Sequence, residues 1–552
     1  MPSDEKEFQE AIARNKHLKA YLDRKDIERP EFHIQLDRNM KDMEYPNLIY
    51  PVGDPIFIHV WRKPGEDNAR YIPIEPKLSE REQEIFDELS EQLIKLAHAA
   101  DVSDRSKELA DLLTELMNQL VSVKGVHLKQ TAAAEKKGFL ENLMSSLQSK
   151  KIKMSPQEYE KIRYFLIRDR VGYGILEPLL RDPYIEDIHT TGVSRIYIVH
   201  KIFEMIATEI IFTSDIQLDK YVFASSERVE RPVSEAEPVV DAIMPDGSRV
   251  NFIYGREVSL EGSSFTIRKF SKVPISISQI VNWKTMSSEL AAYLWLCLEN
   301  GMNMFVCGET ASGKTTTLNA ASTFIKPTAK VYSVENTPEV TMPHPAWQHL
   351  VTRESGKETD VSMMDLLLAA LRSRPDYIIV GEIRGAEGNI AFQAMQTGHP
   401  VLSTFHAGSP HQMIQRMTGN PINVPLPAID NLNLVLIQQA VYIKGKFQRR
   451  VLSLTELVKF YEELQRVGTA QVFTWHPAED KHVFDGYLNS YLLEEKIAKI
   501  LGYVDTREIY PEVLKRAKII DKMIEEKIFN YFDVWEITSG YYNKGDSGLP
   551  FA

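Results

Sequence analysis

The stretch MNMFVCGETASGKTTTLNA, residues 302–320, decides the fold of this 552-residue chain. Its centre, 308–315, fits the pattern G-x-x-x-x-G-K-[ST], whose glycines let backbone N–H groups curl around an anionic phosphate chain. Apolar residues that read as a strand precede this loop, and a helical pattern follows it, as the motif requires. The segment therefore predicts a nucleotide-phosphate-binding loop between a buried strand and a helix.

The loop supplies the candidate nucleotide ligands. Lys314 is long enough to reach the β- and γ-phosphates, and the hydroxyl of Thr315 can ligate Mg²⁺. We therefore predict ATP and Mg²⁺ as cofactors, with Mg²⁺ at Thr315 and Glu382. The predicted nucleotide-binding residues are Gly308, Glu309, Thr310, Ala311, Ser312, Gly313, Lys314, Thr315 and Thr316.

Strands and helices alternate without interruption downstream of the loop. The predicted strands are 302–307, 331–334, 377–380 and 401–405, and the predicted helices are 314–325, 361–373 and 386–397. This alternation predicts a parallel sheet covered by helices on both faces.

Three carboxylates are predicted at the carboxyl edge of this sheet, where ligands bind in open α/β folds. Glu382 follows the β-branched strand of YIIVGEIRG, 377–385, and is a candidate to organise Mg²⁺ and water. Glu335 and Glu339 lie in YSVENTPEV, 332–340, and one of them is a candidate to position the attacking water. The alternative for this pair is two loop carboxylates without a catalytic role.

Two histidines bracket the strand of TGHPVLSTFHAGS, 397–409. His406 follows the strand end, a place that resembles the sensor position of RecA-like ATPases, and this resemblance implies a polar side chain that contacts the γ-phosphate and reports its loss. His399 is a second candidate. Their spacing and neighbours do not match a zinc site. The alternative is that they are ordinary core or surface histidines.

The four segments resemble, in order, the Walker A, Asp-box, Walker B and His-box motifs of the type II/type IV secretion and pilus ATPase superfamily. VGYGILEPLLRDPYIEDI, 171–188, and PDGSRVNF, 245–252, resemble its N-terminal domain, so that the resemblance covers about 155–450. RG-x-E, 384–387, and the lack of a four-cysteine module are similar to the archaeal branch. YPVGDPIFIHVW, 50–61, is similar to the archaellum motor and assembly ATPases. An adhesion-pilus or secretion ATPase of the same superfamily is the alternative.

The resemblance implies a homohexameric motor that hydrolyses ATP to assemble, and to rotate, an archaeal type IV pilus-like filament. It implies that ATP lies between an α+β domain and a RecA-like domain, and that arginines of the former approach the γ-phosphate. Arg249 in PDGSR and Arg268 in FTIRK are the candidates, with structural ion pairs as the alternative. A nucleic-acid translocase uses the same core, but a net charge of −12 disfavours the basic lumen that nucleic acid requires.

The predicted fold class is α/β, with a RecA-like P-loop ATPase core, a preceding α+β domain and an N-terminal helical region. The predicted domains are an N-terminal helical and partner-docking region, an α+β domain, and a RecA-like domain with a C-terminal extension, at 1–150, 151–272 and 273–552. Within the first domain, we expect a strand pair at 47–61 and two leucine-striped helices at 79–123. A flexible joint at 130–138 and a third helix at 139–147 are expected to follow.

The chain begins without an apolar signal region, and it has no apolar run of the roughly 18–20 residues that cross a bilayer. The expected location is therefore the cytoplasm, at the inner face of the membrane through partners. The resemblance implies a polytopic membrane platform protein and cytoplasmic motor accessory proteins as these partners. Its two cysteines, Cys297 and Cys307, are too few for a disulfide framework.

Overall fold

The computed structural model describes residues 2–99, 109–124, 151–270, 273–353 and 359–551. The chain divides into two compact units, Met1–Phe270 and Ser271–Ala552. The segments predicted as a flexible joint and a third N-terminal helix lie outside the described residues. No helix within the described residues combines the length and the apolar content needed to cross a membrane.

The first unit contains a ten-stranded sheet in the order β1-β2-β3-β4-β9-β8-β7-β12-β11-β10, and β5 pairs with β6. Its strands are β1 (Glu31–Phe32), β2 (Asn47–Pro51), β3 (Phe57–Trp61), β4 (Arg70–Ile74), β5 (Val121–Val123), β6 (Ile152–Met154), β7 (Ile185–Thr191), β8 (Arg195–His200), β9 (Glu204–Ile211), β10 (Val239–Ile243), β11 (Arg249–Ile253) and β12 (Ser264–Arg268). Its described α-helices are α1 (Pro2–Arg14), α2 (Lys16–Leu22), α3 (Glu80–Ala99), α4 (Leu109–Leu120), α5 (Pro156–Arg170), α6 (Glu177–Arg181) and α7 (Asp215–Arg228).

The predicted N-terminal strand pair is confirmed, since β2 and β3 pair antiparallel. These strands continue the sheet of the α+β region, because β4 pairs with β9 in parallel. The buried carboxylate of Asp182 joins the two sequence regions further, since it accepts hydrogen bonds from the hydroxyls of Tyr50 and Tyr71, each at 2.7 Å. The division at residue 150 stays a prediction, and one continuous sheet crosses it.

The two predicted leucine-striped helices form and pack together. Ser79 and Glu82 make the expected capping box, with the Ser79 N–H donating to the Glu82 carboxylate at 2.7 Å. Leu93 of α3 and Leu116 of α4 share a hydrophobic cluster. Ile162 of α5 belongs to the same cluster. Helix α5 therefore covers part of the apolar face of the α3–α4 pair.

The second unit holds the predicted parallel sheet. Its strands are β13 (Met304–Cys307), β14 (Val331–Glu335), β15 (Trp347–Val351), β16 (Tyr377–Glu382), β17 (Val401–Phe405), β18 (Leu434–Ile443), β19 (Lys446–Tyr461), β20 (Arg466–His476) and β21 (Lys481–Val483). Its α-helices are α8 (Ile277–Asn282), α9 (Ser288–Glu299), α10 (Lys314–Ser322), α11 (Met363–Arg372), α12 (Glu387–Gln396), α13 (Pro410–Thr418), α14 (Ala498–Ile500), α15 (Tyr510–Glu525) and α16 (Tyr531–Lys544). The predicted elements of this core are confirmed, with small shifts at their ends.

The nine strands of this sheet follow the order β15-β14-β16-β17-β13-β18-β19-β20-β21. All pairings from β15 to β18 are parallel, and those from β18 to β21 are antiparallel. One strand, β17, separates the loop strand β13 from the acidic strand β16, as in RecA-like P-loop ATPases. The predicted fold class is therefore confirmed.

Both faces of the parallel sheet are covered, as the alternation of strands and helices predicts. Met304 and Val306 of β13 belong to one hydrophobic cluster, which includes residues of α9 and α15. Phe305 and Cys307 belong to another, which includes residues of α11 and α12. Successive residues of a strand point to opposite faces, so this division places a separate core on each side of the sheet.

Candidate active site

Strand register brings the candidate residues to one edge of the sheet. Cys307 is the register partner of Phe405 on one side and of Ile437 on the other. Because these strands are parallel, the residues that follow them emerge together at the carboxyl edge. The phosphate-loop candidate Gly308 and the candidate His406 therefore start from the same level of the sheet.

Close packing explains the two glycines of the loop. A Cβ atom at Gly308 would lie 2.1 Å from the backbone oxygen of Gln438. Gly313 has a φ of +91°, which favours glycine, and a Cβ there would lie 2.8 Å from the amide nitrogen of Gln438. The loop is thus pressed against the neighbouring strand β18, where no side chain fits between them.

Two side chains outside the motif hold the loop in shape. The Gln438 side-chain amide donates to the Ser312 carbonyl at 2.8 Å and accepts from the Thr317 hydroxyl at 2.7 Å. The Arg449 Nε donates to the Ala311 carbonyl at 3.0 Å. The sequence interpretation missed both residues, because they come from β18 and β19, far downstream and without a recognisable motif.

The loop has the features of an anion cradle. Lys314 begins α10, and its Nζ donates to the Glu309 carbonyl at 2.9 Å, so the cation folds back over the loop. The Ser312 Oγ is buried and has no hydrogen-bond partner within the described residues. A buried polar atom without a partner is costly, and an anion or its hydration water can satisfy it. The loop therefore fits a phosphate group.

Burial lowers the pKa of Lys314 below its ordinary value, while the carboxylates of Glu382 and Glu339 act in the opposite direction. Both carboxylates are thus close enough to influence the loop lysine. Thr315 and Thr316 follow Lys314 in the first turn of α10, and both are partly exposed. The structure brings together the loop, the Walker B carboxylate and one of the two Asp-box carboxylates.

A β-bulge sets the direction of Glu382. The pairing of β16 with β17 shifts between Val380 and Glu382, and the Thr404 hydroxyl donates to the Gly381 carbonyl at 2.6 Å. Such bulges change the aim of a side chain next to a site. The Glu382 carboxylate accepts a hydrogen bond from Arg384 Nε at 2.8 Å. The candidate metal ligand is therefore paired with an exposed guanidinium. The carboxylate of Glu382 and the hydroxyl of Thr315 are the kinds of oxygen ligand that Mg²⁺ prefers.

The structure distinguishes the two Asp-box carboxylates. Glu335 is 1% exposed, and its Oε1 accepts from the backbone N–H groups of Glu339 and Val340, each at 2.9 Å. Its Oε2 pairs with the His349 Nε2 at 2.7 Å, a contact that no sequence motif indicated. The Glu339 side chain is exposed and influences Lys314. The geometry therefore favours Glu339 for contact with water, and Glu335 as its support.

The two histidine candidates differ in their surroundings. His406 is exposed at the end of β17, and its carbonyl accepts a hydrogen bond from Arg416. The guanidinium of Arg416 also lies 4.9 Å from the centre of the Phe405 ring, which fixes the backbone that carries His406. His399 lies at the opposite end of β17, and its Nδ1 is 3.1 Å from the Thr397 hydroxyl. Only His406 stands at the carboxyl edge.

The candidate arginines stand side by side in the first unit. Arg249 of β11 and Arg268 of β12 are register partners on adjacent antiparallel strands. Arg249 lies 3.8 Å from Asp241 and Arg268 lies 3.3 Å from Asp187, with the arginine side chains 48% and 65% exposed. Exposed ion pairs typically contribute only about 0–1 kcal/mol. These pairs can therefore be exchanged for a stronger anion at little cost.

Comparison with known proteins gives consistent matches. The family model described as type II/IV secretion system protein matches residues 169–464. A relative from Methanocaldococcus jannaschii is 51% identical over 99% of this chain and 98% of its own length. The type IV secretion system protein PtlH of Bordetella pertussis is 29% identical over 35% of this chain and 65% of its own length. The crystal structure of the pilus retraction motor PilT with bound ADP covers 64% of this chain and 99% of its own, with 20% identity and a TM-score of 0.39.

Proposed function

The chain belongs to the type II/IV secretion and pilus ATPase superfamily, and from this premise we propose that it is a hexameric ATP-hydrolysing motor for an archaeal type IV pilus-like filament. One observation carries the proposal: the loop at 308–315 is built as an anion cradle, with the Lys314 Nζ folded back to the Glu309 carbonyl and the buried Ser312 Oγ without a hydrogen-bond partner among the described residues. An anion cradle beside acidic groups that can orient water and a cation is the arrangement that phosphoryl transfer to water requires.

Each residue has a defined task in this proposal. The backbone of the loop binds the phosphate chain of ATP, and Lys314 neutralises charge on its β- and γ-phosphates. Thr315 and Glu382 would hold Mg²⁺, which supplies positive charge to the same phosphates. Glu339 orients the attacking water and accepts a hydrogen bond from it. His406 contacts the γ-phosphate. When this phosphate leaves after hydrolysis, the contact at the end of β17 is lost.

Our assignment of the subfamily and of the partners relies mainly on sequence features outside the ATPase core. RG-x-E supports the archaeal branch of the superfamily, and the N-terminal YPVGDPIFIHVW supports an archaellum motor over an adhesion-pilus ATPase. The relative matched over 99% of the chain extends the likeness through residues 1–150. We assign this N-terminal region to docking on a polytopic membrane platform protein and on cytoplasmic accessory proteins. The motor would then act at the inner face of the membrane.

Two measurements on the purified chain test the proposal. We expect phosphate release from ATP that needs Mg²⁺, and a particle mass in solution six times that of the chain when nucleotide is present. A gene deletion in the host should abolish filaments and leave growth intact. Absence of any ATP hydrolysis by the hexamer would contradict the motor function, while hydrolysis that rises strongly with added DNA would favour a nucleic-acid translocase.

The paired arginines give a kinetic prediction. Arg249→Ala and Arg268→Ala are each expected to lower kcat for ATP by at least about tenfold, because an arginine that stabilises the charge of phosphoryl transfer acts mainly in the transition state. The KM for ATP should change much less. Steady-state kinetics on folded hexamers check this result.

The matched control for this prediction is Arg256→Ala, since Arg256 is an exposed arginine of the same unit that also pairs with an aspartate, Asp215, at 3.0 Å. It should retain the kcat of the unaltered chain. Full activity in both test variants would show that the arginines form surface ion pairs only, and unfolding of either variant would favour the structural alternative.

A further inference from the structure

A buried side chain of the phosphate-loop helix is hydrogen-bonded to the loop that carries Glu339. Asn319 of α10 is 8% exposed, and its side-chain amide donates to the Glu339 carbonyl at 2.8 Å. Its side-chain oxygen accepts from the Thr341 N–H at 3.2 Å. Asn319 therefore links α10 directly to the backbone at both Glu339 and Thr341.

Glu335 fixes the same residue from the other side, since its carboxylate accepts the Glu339 N–H at 2.9 Å. Both the N–H and the carbonyl of Glu339 are thus engaged by buried side chains. Its own side chain is exposed, and among its neighbours is the positive charge of Lys314. This is the pattern of a functional side chain held by a rigid support.

A residue of the C-terminal extension completes this support. Tyr531, the first residue of α16, is fully buried, and its hydroxyl lies 3.0 Å from the Ser322 Oγ. The hydroxyl also lies 3.2 Å from the Asn319 carbonyl and 3.0 Å from the Thr341 carbonyl. Burial raises the pKa of Tyr531, so the group stays a neutral hydroxyl, whose one proton is donated to one of these carbonyls or shared between them.

We propose that Tyr531 is a positioning residue for ATP hydrolysis, which acts through Asn319 and the 336–342 loop to hold Glu339 against α10, the helix that follows the phosphate loop. The proposal rests on the ATPase function proposed above and adds a role for the C-terminal extension. Its hydroxyl joins the end of α10 to the far end of the Glu339 loop, beside the hydrogen bonds that Asn319 makes to the same loop. Small displacements of a reacting group cost much rate, with about 1 Å able to cost about a hundredfold.

The test removes one oxygen atom. Tyr531→Phe keeps the ring in the core, and we expect kcat for ATP to fall by about fivefold or more while nucleotide affinity stays within about twofold, as for a contact that matters only in the transition state. The control is Tyr541→Phe on the same helix, whose hydroxyl reaches Glu512 at 3.5 Å and makes no contact with the Glu339 loop among the described residues. It should leave kcat unchanged. Both variants are assayed below their unfolding temperatures.

A double-variant cycle distinguishes positioning from general structural support. If Tyr531 acts through Glu339, then Tyr531→Phe should have little further effect on kcat in a Glu339→Gln background, because coupled residues are non-additive. An unchanged kcat in the single variant would overturn the proposal, as would an equal fall in both backgrounds. Failure of the unaltered chain to hydrolyse ATP would instead contradict the motor function itself.

Discussion

A Lys314→Ala variant is expected to lose ATP hydrolysis by at least about a hundredfold, because it removes the ammonium group that folds back over the phosphate loop and neutralises phosphate charge in the transition state. In the structure, Lys314 is partly buried at the start of α10, where its charge can reach the β- and γ-phosphates. Nucleotide affinity should fall as well, since the ground-state phosphates also lose this partner. Phosphate release and nucleotide binding are measured separately on the same preparation.

Lys330→Ala is the matched control for this prediction. Lys330 precedes β14 at the amino edge of the same sheet, and its Nζ donates to the Ser373 carbonyl at 2.7 Å. This variant also loses a partly buried lysine, but on the side away from the loop, and it should hydrolyse ATP normally. Turnover by Lys314→Ala at the rate of this control would rule out the phosphate loop as the site of hydrolysis.

The core fold could be predicted from sequence because its determinants are local. The loop motif, the apolar strand before it and the alternation of strands and helices each lie within short windows of the chain. Chain order then predicts which strand ends meet at the carboxyl edge. The structure confirms this fold, with the phosphate loop after β13 and Glu382 at the end of β16 in the same sheet.

Residues that support the site were missed because their roles depend on tertiary contacts. Gln438 faces the loop beside a register shift between Ile437 and Gln438 in the β18–β19 pair, and nothing local in the sequence indicates that bulge. His349 meets Glu335 only because β15 pairs with β14. Likewise, Tyr531 lies more than two hundred residues beyond Asn319, yet its hydroxyl is within hydrogen-bond distance of the Asn319 backbone carbonyl.

The N-terminal region shows the same limit of local patterns. Its first residues are rich in charge, so the sequence interpretation gave them no elements, yet α1 and α2 form there. Apolar residues of both helices are buried: Phe8 and Leu18 lie in one hydrophobic cluster with Phe32 and Ile49. The Phe8 and Phe32 rings stack at 4.6 Å. A short helix with little apolar surface still forms when a sheet supplies the other half of its core.

Glu382→Gln should separate nucleotide binding from hydrolysis. The amide keeps the size of the carboxylate and can still accept a hydrogen bond from Arg384, which now donates at 2.8 Å. The shape of the bulge at Gly381 therefore remains, while the negative charge that would hold Mg²⁺ disappears. We expect kcat to fall by at least about a hundredfold and ATP affinity to remain within about threefold of the unaltered chain.

Asp376→Asn is the control at the other end of the same strand. Its carboxylate accepts the Lys330 N–H at 2.8 Å, a contact that asparagine preserves, so this variant loses a charge of the same sign without touching the carboxyl edge. Fluorescent-nucleotide binding and single-turnover phosphate release are compared for both variants. Since the control lies beyond the opposite end of β16, only a role at the phosphate loop explains a loss confined to Glu382→Gln. A Glu382→Gln protein that turns over ATP normally would refute the assignment of β16 as the acidic strand of the site.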